Sequence, residues 1–352
     1  MNHIWTNFLI EQGAKITHTN EVDHFGDLAA ELQASSTHNM IYDLSQLGII
    51  RIEGEEAQTF LQGQFSNDLT LINEHKGQLN SYNSPKGRMY ASFYLFTMQD
   101  AFYLHLPRAI LETTLKRLRM FVLRAKVTLD DVSDTLIAMG ISGPDITAPL
   151  SSVGLQLPQQ AYDISKQSGV HCLRLPGQPA RAIIYAELEP LQQSWSELAK
   201  TCEKAGASVW RLLDIQAGIP NLYPETQESF VAQMINFPSI EGVSFTKGCY
   251  PGQEVVARMH YLGNLKKRMY LTQIDDAERP LPGTHLYEAS GNTQSIGTVV
   301  DAQAAPEGGY QALCVLQTKS ATDANIHVGS PTGAAIKLLD LPYEITLGHA
   351  KQ

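Results

Sequence analysis

Two neighbouring extended segments, residues 77–83 and 88–98, constrain the fold of this chain more than any other feature of its sequence. The connection between them, Ser84-Pro85-Lys86-Gly87, has the proline and glycine of a tight turn, so the segments are predicted to pair as strands. Side chains alternate between the two faces of a strand, and both faces of 88–98 are largely apolar: Tyr90, Ser92, Tyr94, Phe96 and Met98 on one, Ala91, Phe93 and Leu95 on the other. A sheet that contains this strand therefore has to be covered on both sides.

The elements predicted after this pair alternate between strands and helices. Their order is strand 102–106, helix 108–126, strands 136–141, 171–175 and 182–185, and helices 190–205 and 210–218. This order predicts the α+β fold class, with two successive α+β units.

From residue 265 onward the pattern changes to short strands separated by turns. Strands are predicted at 269–273, 295–300, 310–316 and 335–338, with turn signals that include Ser290-Gly291-Asn292 and Glu307-Gly308-Gly309. This spacing favours a small antiparallel barrel or sandwich. The predicted domains are 1–135, 136–262 and 263–352, and the first is allowed to include non-adjacent segments.

Composition and charge exclude several classes of protein. The chain has 352 residues, 26 Lys and Arg against 36 Asp and Glu, and a formal net charge of -10. A protein with this charge does not bind nucleic acid or anionic membranes through bulk electrostatics, so no direct nucleic-acid binding is expected. No apolar run has membrane-spanning length, and residues 1–5 lack the features of a secretory signal.

The four cysteines, Cys172, Cys202, Cys249 and Cys314, are widely spaced and form no CxxC pair. This spacing argues against a disulfide framework and against a structural zinc site. Free thiols, no bound metal and a cytoplasmic location are therefore expected.

The most unusual short segment surrounds one of these cysteines: Lys247-Gly248-Cys249-Tyr250-Pro251-Gly252-Gln253-Glu254. The two glycines allow an accessible tight turn, and the positive charge of Lys247 would favour the thiolate form of Cys249. A helix over 254–261 would place Cys249 just before a helix N-terminus, which acts in the same direction. The alternative is a buried and inert cysteine in a glycine turn.

This octet resembles the K-G-C-[FY]-x-G-Q-E signature of the YgfZ-type folate-binding proteins, which are relatives of the glycine cleavage T-protein. All of its fixed positions are present, and further matches extend the resemblance over about residues 41–340, with Phe237 in place of a leucine. The matching stretches are Phe60-Leu61-Gln62-Gly63-Gln64, Asn67-Asp68-Leu69, Ala217-Gly218-Ile219-Pro220, Gln233 with Asn236, Gly242-Val243-Ser244-Phe245, Val255-Val256-Ala257-Arg258 and Tyr261-Leu262-Gly263.

The resemblance implies a fold and a function. The fold would be two ferredoxin-like units and a C-terminal antiparallel β-barrel, arranged as a ring of three domains around a central folate pocket. The function would be that of an accessory protein for the assembly or maintenance of iron–sulfur enzymes, including tRNA-modifying ones. Its cofactor would be tetrahydrofolate or a one-carbon derivative, its partners would be iron–sulfur client or assembly proteins, and Cys249 would be its key thiol.

The resemblance also implies which residues bind folate: Trp210, Gln233, Asn236, Tyr250 and Arg258. A pterin needs a stacking ring and a polar fork at its edge, which tryptophan or tyrosine and the two amides can supply. All of these side chains except Arg258 also have an ordinary structural explanation. Trp210 and Tyr250 are consistent with core packing, and the two amides with loop capping.

A second function is a folate-dependent aminomethyltransferase or demethylase of the T-protein class. T-proteins carry a stretch of the type N-[ED]-[KR]-G-G-x-x-D-D, and its counterpart here is 84–92, in which Ala91 and Ser92 stand where the carboxylates would be. Neither residue can stabilise a cationic centre by charge, so the accessory function is preferred.

The predicted helix 108–126 is a possible partner face because it is strongly basic. Its cations, Arg108, Lys116, Arg117, Arg119, Arg124 and Lys126, outnumber its one acid, Glu112. The alternatives are a solvated helix face and a surface that meets a polyglutamate folate tail, an RNA or an acidic partner.

Overall fold

The structure is a computed structural model that describes residues 2–262, 265–289, 294–323 and 325–345. Gly263, the first residue of the third predicted domain, and the predicted turn Ser290-Gly291-Asn292 lie outside the described residues.

The described residues form helices and strands in the following order. The α-helices are α1 (His3–Glu11), α2 (Leu28–Ala34), α3 (Ala57–Gln62), α4 (Arg108–Val122), α5 (Thr147–Ser152), α6 (Leu188–Leu198), α7 (Ala207–Gln216), α8 (Gln253–Leu262) and α9 (Thr318–Asp323). The strands are β1 (Lys15–Ile16), β2 (Val22–His24), β3 (Met40–Asp43), β4 (Leu47–Glu53), β5 (Gln78–Asn83), β6 (Met89–Met98), β7 (Ala101–Pro107), β8 (Thr128–Asp131), β9 (Leu136–Gly143), β10 (Ile164–Gln167), β11 (Val170–Leu175), β12 (Ala180–Glu187), β13 (Glu203–Ala205), β14 (Lys267–Ile274), β15 (His285–Glu288), β16 (Gly297–Ala304), β17 (Tyr310–Gln317), β18 (Ile326–Val328) and β19 (Ile336–Leu339). Short 3-10 helices occupy Leu69–Leu71, Pro224–Thr226, Ala232–Ile235 and Phe237–Ile240.

The chain divides into two compact units, each built from non-adjacent segments. Unit 1 comprises Met1–Ala57, Leu71–Gly77 and Tyr94–Leu213, and unit 2 comprises Gln58–Thr70, Gln78–Phe93 and Asp214–Gln352. The division into three linear domains at residues 135 and 262 stays a prediction.

Unit 1 contains a six-stranded sheet in the order β10-β11-β12-β9-β3-β13. Its pairs are antiparallel except for β13 and β3, which run parallel. One hydrophobic core lies against this sheet, and its largest members are Trp5 of α1 and Trp195 of α6, whose rings meet edge to face with centroids 5.6 Å apart. These aromatic side chains fix the helices on the sheet because they bury the most apolar area.

A second sheet has the order β5-β6-β7-β4-β8, and α4 covers its strands β7, β4 and β8, which belong to unit 1. The helix buries Ile110, Leu111, Thr114, Leu115 and Leu118, which recur at helical spacing. Both faces of β6 are buried, which confirms the prediction that its sheet is covered on both sides.

Two predicted helices are shorter in the structure. The predicted helix 108–126 ends at Val122, because Leu123 takes φ 48° and ψ -103°, which cannot continue a helix; Arg124 and Lys126 lie beyond its end. The predicted helix 190–205 ends at Leu198, and residues 203–205 form β13 instead.

Unit 2 contains β5, the first half of β6, and a six-stranded antiparallel sheet in the order β18-β15-β16-β17-β14-β19. A core that includes Leu286, Val299 and Leu316 lies on this C-terminal sheet. A single bridge between His327 and Ala335 brings its two edge strands together at one point. The combination of helices and several sheets that the α+β class predicts is confirmed. No helix in the described ranges is long and apolar enough to cross a membrane.

Candidate functional site

The signature octet forms an exposed loop in unit 2 that leads into α8 (Gln253–Leu262). Gly248 and Cys249 are exposed, whereas Lys247 and Tyr250 on either side are only 7% and 6% exposed. The alternative of a buried Cys249 is therefore wrong. The other three cysteines are buried, and burial raises the pKa of Cys172 and Cys314 to about 12.

Lys247 anchors this loop to a distant segment of the chain. Its ammonium nitrogen Nζ donates to the carbonyl oxygens of Gln62 at 2.7 Å, Phe65 at 2.6 Å and Asn67 at 3.0 Å. Three acceptors use all three N–H donors of a lysine. Burial lowers the pKa of Lys247 to about 8, and the carboxylate of Asp68 acts in the opposite direction. The predicted role of Lys247 beside the thiol stays a prediction, since its hydrogen bonds go elsewhere.

Further hydrogen bonds join the segment 62–67 to residues just before the octet. The Ser66 hydroxyl donates to the carbonyl of Gly242 at 2.9 Å, and the Asn67 amide to the carbonyl of Glu241 at 2.6 Å. The Ser244 backbone N–H donates to the carbonyl of Ser66 at 3.0 Å. Two stretches that lie 180 residues apart in sequence therefore form one hydrogen-bonded structure.

Tyr250 supports the loop from the other side of the thiol. The Lys247 ammonium lies 5.1 Å from the centre of its ring, within the range of a cation–π contact. Its hydroxyl is buried without a hydrogen-bond partner among the described residues, and burial raises its pKa. The side chain therefore contacts the lysine through its ring alone and leaves its hydroxyl unsatisfied within the described ranges.

A contact between two glycines sets how closely the octet approaches the turn at 84–87. Gly252 has φ +79°, and a Cβ there would lie 2.5 Å from both the Gly87 Cα and the Ser84 carbonyl oxygen. Gly87 itself has φ +71°, a conformation that residues with a Cβ rarely adopt. Packing of backbone on backbone therefore requires glycine at 252, and the positive φ favours glycine at 87.

Gln233 and Asn236 each donate through their amide nitrogen and leave their side-chain oxygen unpaired. Gln233 Nε2 donates to the carbonyl of Val256 in α8 at 2.6 Å, and Asn236 Nδ2 to the carbonyl of Met269 in β14 at 3.0 Å. Gln233 Oε1 and Asn236 Oδ1 are buried without a partner among the described residues. Unpaired acceptors of this kind fit the N–H groups on the edge of a pterin, so these two side chains are compatible with a folate.

Trp210 lies in unit 1, in the core beside β9. It is 1% exposed, its ring lies 5.2 Å from that of Tyr42 and 5.5 Å from the Arg181 guanidinium, and a Cβ on Gly140 would touch it at 2.5 Å. Its indole N–H has no partner in the described part of the chain. These contacts favour the alternative that Trp210 is a core residue, and its contact with folate stays a prediction.

The remaining predicted site residues lie on α8 and at the surface. Glu254 in the first turn and Arg258 one turn later are exposed, and Gln253 donates from Nε2 to the carbonyl of Lys247 at 3.3 Å. Within the described ranges, no three His, Cys, Asp or Glu side chains converge on a possible metal site.

Ala91 and Ser92, at the positions of the T-protein carboxylates, are both buried in β6. Ser92 donates its hydroxyl to the carbonyl of Pro220 at 3.0 Å. This hydrogen bond ties β6 to the Ala217–Pro220 stretch.

Sequence reasoning missed a row of buried polar side chains on β5: Gln78, Asn80, Ser81 and Asn83. The Asn80 side-chain oxygen accepts from the Asn67 backbone N–H at 2.9 Å. The signal was present, because amides within a strand expected to be buried need partners.

Tyr343 was also missed. Its hydroxyl donates to the carbonyl of Gly218 at 2.9 Å, and a Cβ on Gly218 would lie 2.5 Å from the tyrosine ring. Burial raises its pKa to about 12. The contact explains why the Ala217–Pro220 stretch has a glycine, but no local pattern links residues 125 positions apart.

Comparison with known proteins places this geometry in a family. Residues 8–169 match the model of the GCVT N-terminal domain. The tRNA-modifying protein YgfZ of Colwellia psychrerythraea is 30% identical over 310 residues, covering 87% of this chain and 93% of that protein. The tRNA-modifying protein YgfZ of Yersinia enterocolitica is 26% identical over 316 residues, covering 90% and 96%.

A solved structure supports the fold. The crystal structure of the glycine cleavage system aminomethyltransferase T from Bartonella henselae matches with a TM-score of 0.76 over 98% of each chain, at 13% identity. Identity this low shows a shared fold and nothing about activity. The identity to the Colwellia protein over nearly its whole length, together with the octet, shows that this chain belongs to the YgfZ family.

Proposed function

We propose that this chain is a tetrahydrofolate-binding accessory protein of tRNA modification. In this proposal it acts in the cytoplasm on the assembly or maintenance of iron–sulfur enzymes, and Cys249 is its working thiol. The relatives named as tRNA-modifying proteins and the match to the GCVT N-terminal domain support it. The observation that carries it is an exposed Cys249 between two buried anchors, Lys247 and Tyr250.

This arrangement suits a thiol that acts on another protein. Gly248 beside the cysteine is exposed, and a Cβ added to it would have no atom within 4 Å, so a partner has room to approach. The anchors hold the backbone on both sides of the sulfur, which limits the entropy lost when a partner binds. A single thiol does not supply the four ligands of a typical iron–sulfur cluster, which supports a role shared with a partner.

Tetrahydrofolate or a one-carbon derivative is the proposed cofactor. The unpaired oxygens of Gln233 and Asn236 support recognition of the pterin edge, and the unpaired Tyr250 hydroxyl supports a further polar contact. Exposed Arg258 supplies a cation for the glutamate carboxylates. Trp210 remains a proposed contact through its unpaired N–H.

The finer architecture belongs to the same proposal. Two ferredoxin-like units, a C-terminal barrel and a ring of three domains around the folate are supported by the T-protein-like fold. The bridge between His327 and Ala335 supports closure of the C-terminal sheet into the barrel.

An aminomethyltransferase is disfavoured at two positions. Ala91 has no polar group, and the Ser92 hydroxyl is already used by the carbonyl of Pro220. A carboxylate beside the folate is what that chemistry needs, and neither side chain provides one. No methylene-tetrahydrofolate is expected when the protein is mixed with the partners of the glycine cleavage system; clear turnover would restore this function.

Complementation with Cys249→Ser tests the proposed role of the thiol. The wild type and the variant are expressed in a bacterial strain that lacks its own homologue, and modified nucleosides are quantified in hydrolysed tRNA by mass spectrometry. We expect Cys249→Ser to fold and to lose the restored modification, whereas Cys202→Ser, at a buried cysteine, keeps it. Full rescue by Cys249→Ser would refute the role of the thiol.

Calorimetric titration with tetrahydrofolate tests the cofactor separately. Cys249→Ser is expected to bind like the wild type, because the thiol and the unpaired amides are assigned different tasks. Trp210→Phe is preferred to Trp210→Ala, since removing a buried indole costs about 3–5 kcal/mol and endangers the fold. Wild-type affinity in Trp210→Phe would remove Trp210 from the proposed contacts, and no binding by the wild type would remove folate from the proposal.

A further inference from the structure

The end of α4 (Arg108–Val122) in unit 1 exposes three large apolar side chains within four residues. Met120 is 57% exposed, Phe121 52% and Leu123 88%. No other large apolar side chains in the described part of the chain are both this exposed and this close in sequence. Single exposed apolar residues are ordinary, but a group of them marks an interaction surface.

The backbone at this point is unusual as well. Leu123 has φ 48° and ψ -103°, outside the regions that branched side chains normally occupy. Such conformations cost free energy, and they cluster at active sites, ligand clamps and switch regions. Here the strained residue is also the most exposed of the large apolar side chains in the described ranges.

Ion pairing reduces the positive charge around this patch. Arg119 lies 3.2 Å from the Asp130 carboxylate, Lys126 lies 2.6 Å from Glu55, and Arg108 lies 4.0 Å from Asp134. Lys116 is exposed and lines a shallow groove of about 460 Å³ together with Met120, Arg119 and the exposed acid Glu112. Exposed Arg124 lies just past the helix end. Lys116 and Arg124 have no ion pair within the described ranges, so they are the cations available to a partner.

We propose that the surface formed by Lys116, Met120, Phe121, Leu123 and Arg124 docks an acidic amphipathic segment of a partner protein. Apolar side chains of that segment cover Met120, Phe121 and Leu123, and its carboxylates meet the two available cations. The proposal goes beyond the function above, because it needs neither folate nor Cys249.

Charge and shape favour a protein over the other possible occupants. RNA binding depends on many uncompensated cations, whereas half of the cations named for this helix region are paired with acids. Peripheral membrane helices bury a whole apolar face in the lipid, but the apolar face of α4 is already buried on its own sheet. In a symmetric dimer through this surface, Lys116 and Arg124 of one copy would face the same two cations of the other, and this repulsion opposes self-association.

Fluorescence anisotropy with defined probes tests the proposal. The main probe is a labelled helical peptide of about 18 residues, or five turns, with leucine on one face and glutamate on the others. The control probe has lysine in place of glutamate. The protein variants are Leu123→Asp, the double variant Lys116→Gln and Arg124→Gln, and Leu71→Asp as a matched control at another exposed leucine, 62% exposed, of unit 1.

We expect the acidic peptide to bind and the basic peptide not to bind. Leu123→Asp should weaken binding about tenfold, a typical loss for a central interface residue, whereas Leu71→Asp should leave it unchanged. The double variant should weaken binding of the acidic peptide less than Leu123→Asp does, and it should make the affinity less dependent on salt concentration.

Three outcomes would overturn the proposal. One is equal affinity of Leu123→Asp and Leu71→Asp for the acidic peptide, and another is failure of the wild type to bind it. The third is a different occupant: total tRNA or phosphatidylserine vesicles that bind the wild type but not Leu123→Asp, or a dimer in sedimentation velocity that Leu123→Asp abolishes. Circular dichroism of each variant shows whether it is folded.

Discussion

Replacing Lys247 with methionine should loosen two separate stretches of unit 2 together. The lysine Nζ donates to three carbonyl oxygens, those of Gln62, Phe65 and Asn67, at 2.6 to 3.0 Å. Methionine fills similar space but donates nothing, so these carbonyls lose their partner. We therefore expect the segment 62–67 and the octet to open more often in Lys247→Met.

The expected magnitude follows from two opposing contributions. Each hydrogen bond from a charged donor contributes about 2 kcal/mol, so the three contribute about 6 kcal/mol. Burial of the ammonium, which lowers the Lys247 pKa from 10.5 to about 8, offsets about 3 kcal/mol of this. The net loss in Lys247→Met is then about 3 kcal/mol, or roughly a 100-fold change in an opening equilibrium.

Hydrogen exchange followed by mass spectrometry measures this opening directly. The informative amides are those of Ser66, which donates to the Ser81 carbonyl, and Ser244, which donates to the Ser66 carbonyl, both at 3.0 Å. Lys200→Met is the matched control, because Lys200 is exposed and pairs only with Glu197 among the acids of the described ranges. A threefold change in protection corresponds to under 1 kcal/mol. If protection of both stretches changes by less than about threefold in Lys247→Met, Lys247 is not an anchor.

Three further predictions rest on single contacts. Gly252→Ala should destabilise the octet and speed alkylation of Cys249, because its Cβ would lie 2.5 Å from the Gly87 Cα. Gly248→Ala, whose Cβ would have nothing within 4 Å, should do neither. Equal alkylation rates in the two variants would contradict this prediction. Tyr250→Phe should raise the stability of the ligand-free protein slightly, since it removes a buried hydroxyl without a partner in the described ranges. It should weaken tetrahydrofolate binding severalfold, since the proposed contact is lost. An unchanged affinity in calorimetry would exclude the hydroxyl as a contact. Burial lowers the pKa of His105 from 6.5 to about 3, so the unfolded chain binds the proton more tightly than the folded chain does. The free energy of unfolding should therefore fall as the pH drops from 6.5 towards 3, by as much as about 5 kcal/mol. His105→Gln should remove most of this acid sensitivity in unfolding followed by the tryptophans, all three of which lie in unit 1, and an unchanged pH profile would refute the assignment.

Local patterns predicted the elements whose partners are close in sequence. The strand pair at 77–83 and 88–98 is correct to within one residue at each end, because alternation and the Pro85–Gly87 turn are both local signals. The same signals failed where a distant partner decides the structure. Residues 203–205 continue a helical pattern but pair in parallel with β3 (Met40–Asp43), more than 150 positions earlier.

The end of α4 escaped prediction for a different reason. A helix usually stops at glycine or before proline, and Leu123 is neither. Leu123 nevertheless has a positive φ, and two of the cations that suggested a longer helix, Arg124 and Lys126, lie beyond its end. The sequence could not show that acids elsewhere in the chain pair with half of these cations, and the partner face stays a prediction.

Contacts distant in sequence also decide the structure of the candidate site, and they determine what a loss of function in its variants means. In the sequence, Lys247 stands two positions from Cys249 and suggests an electrostatic effect on the thiol. In the structure its three donors bind carbonyls of the 62–67 segment, so substitutions at Lys247 or Gly252 change where the thiol is held. Substitution of Cys249 removes the sulfur from an otherwise intact loop. Loss of function with altered hydrogen exchange therefore indicates a displaced loop, and loss of function with wild-type exchange, as we expect for Cys249→Ser, indicates the chemistry of the sulfur itself.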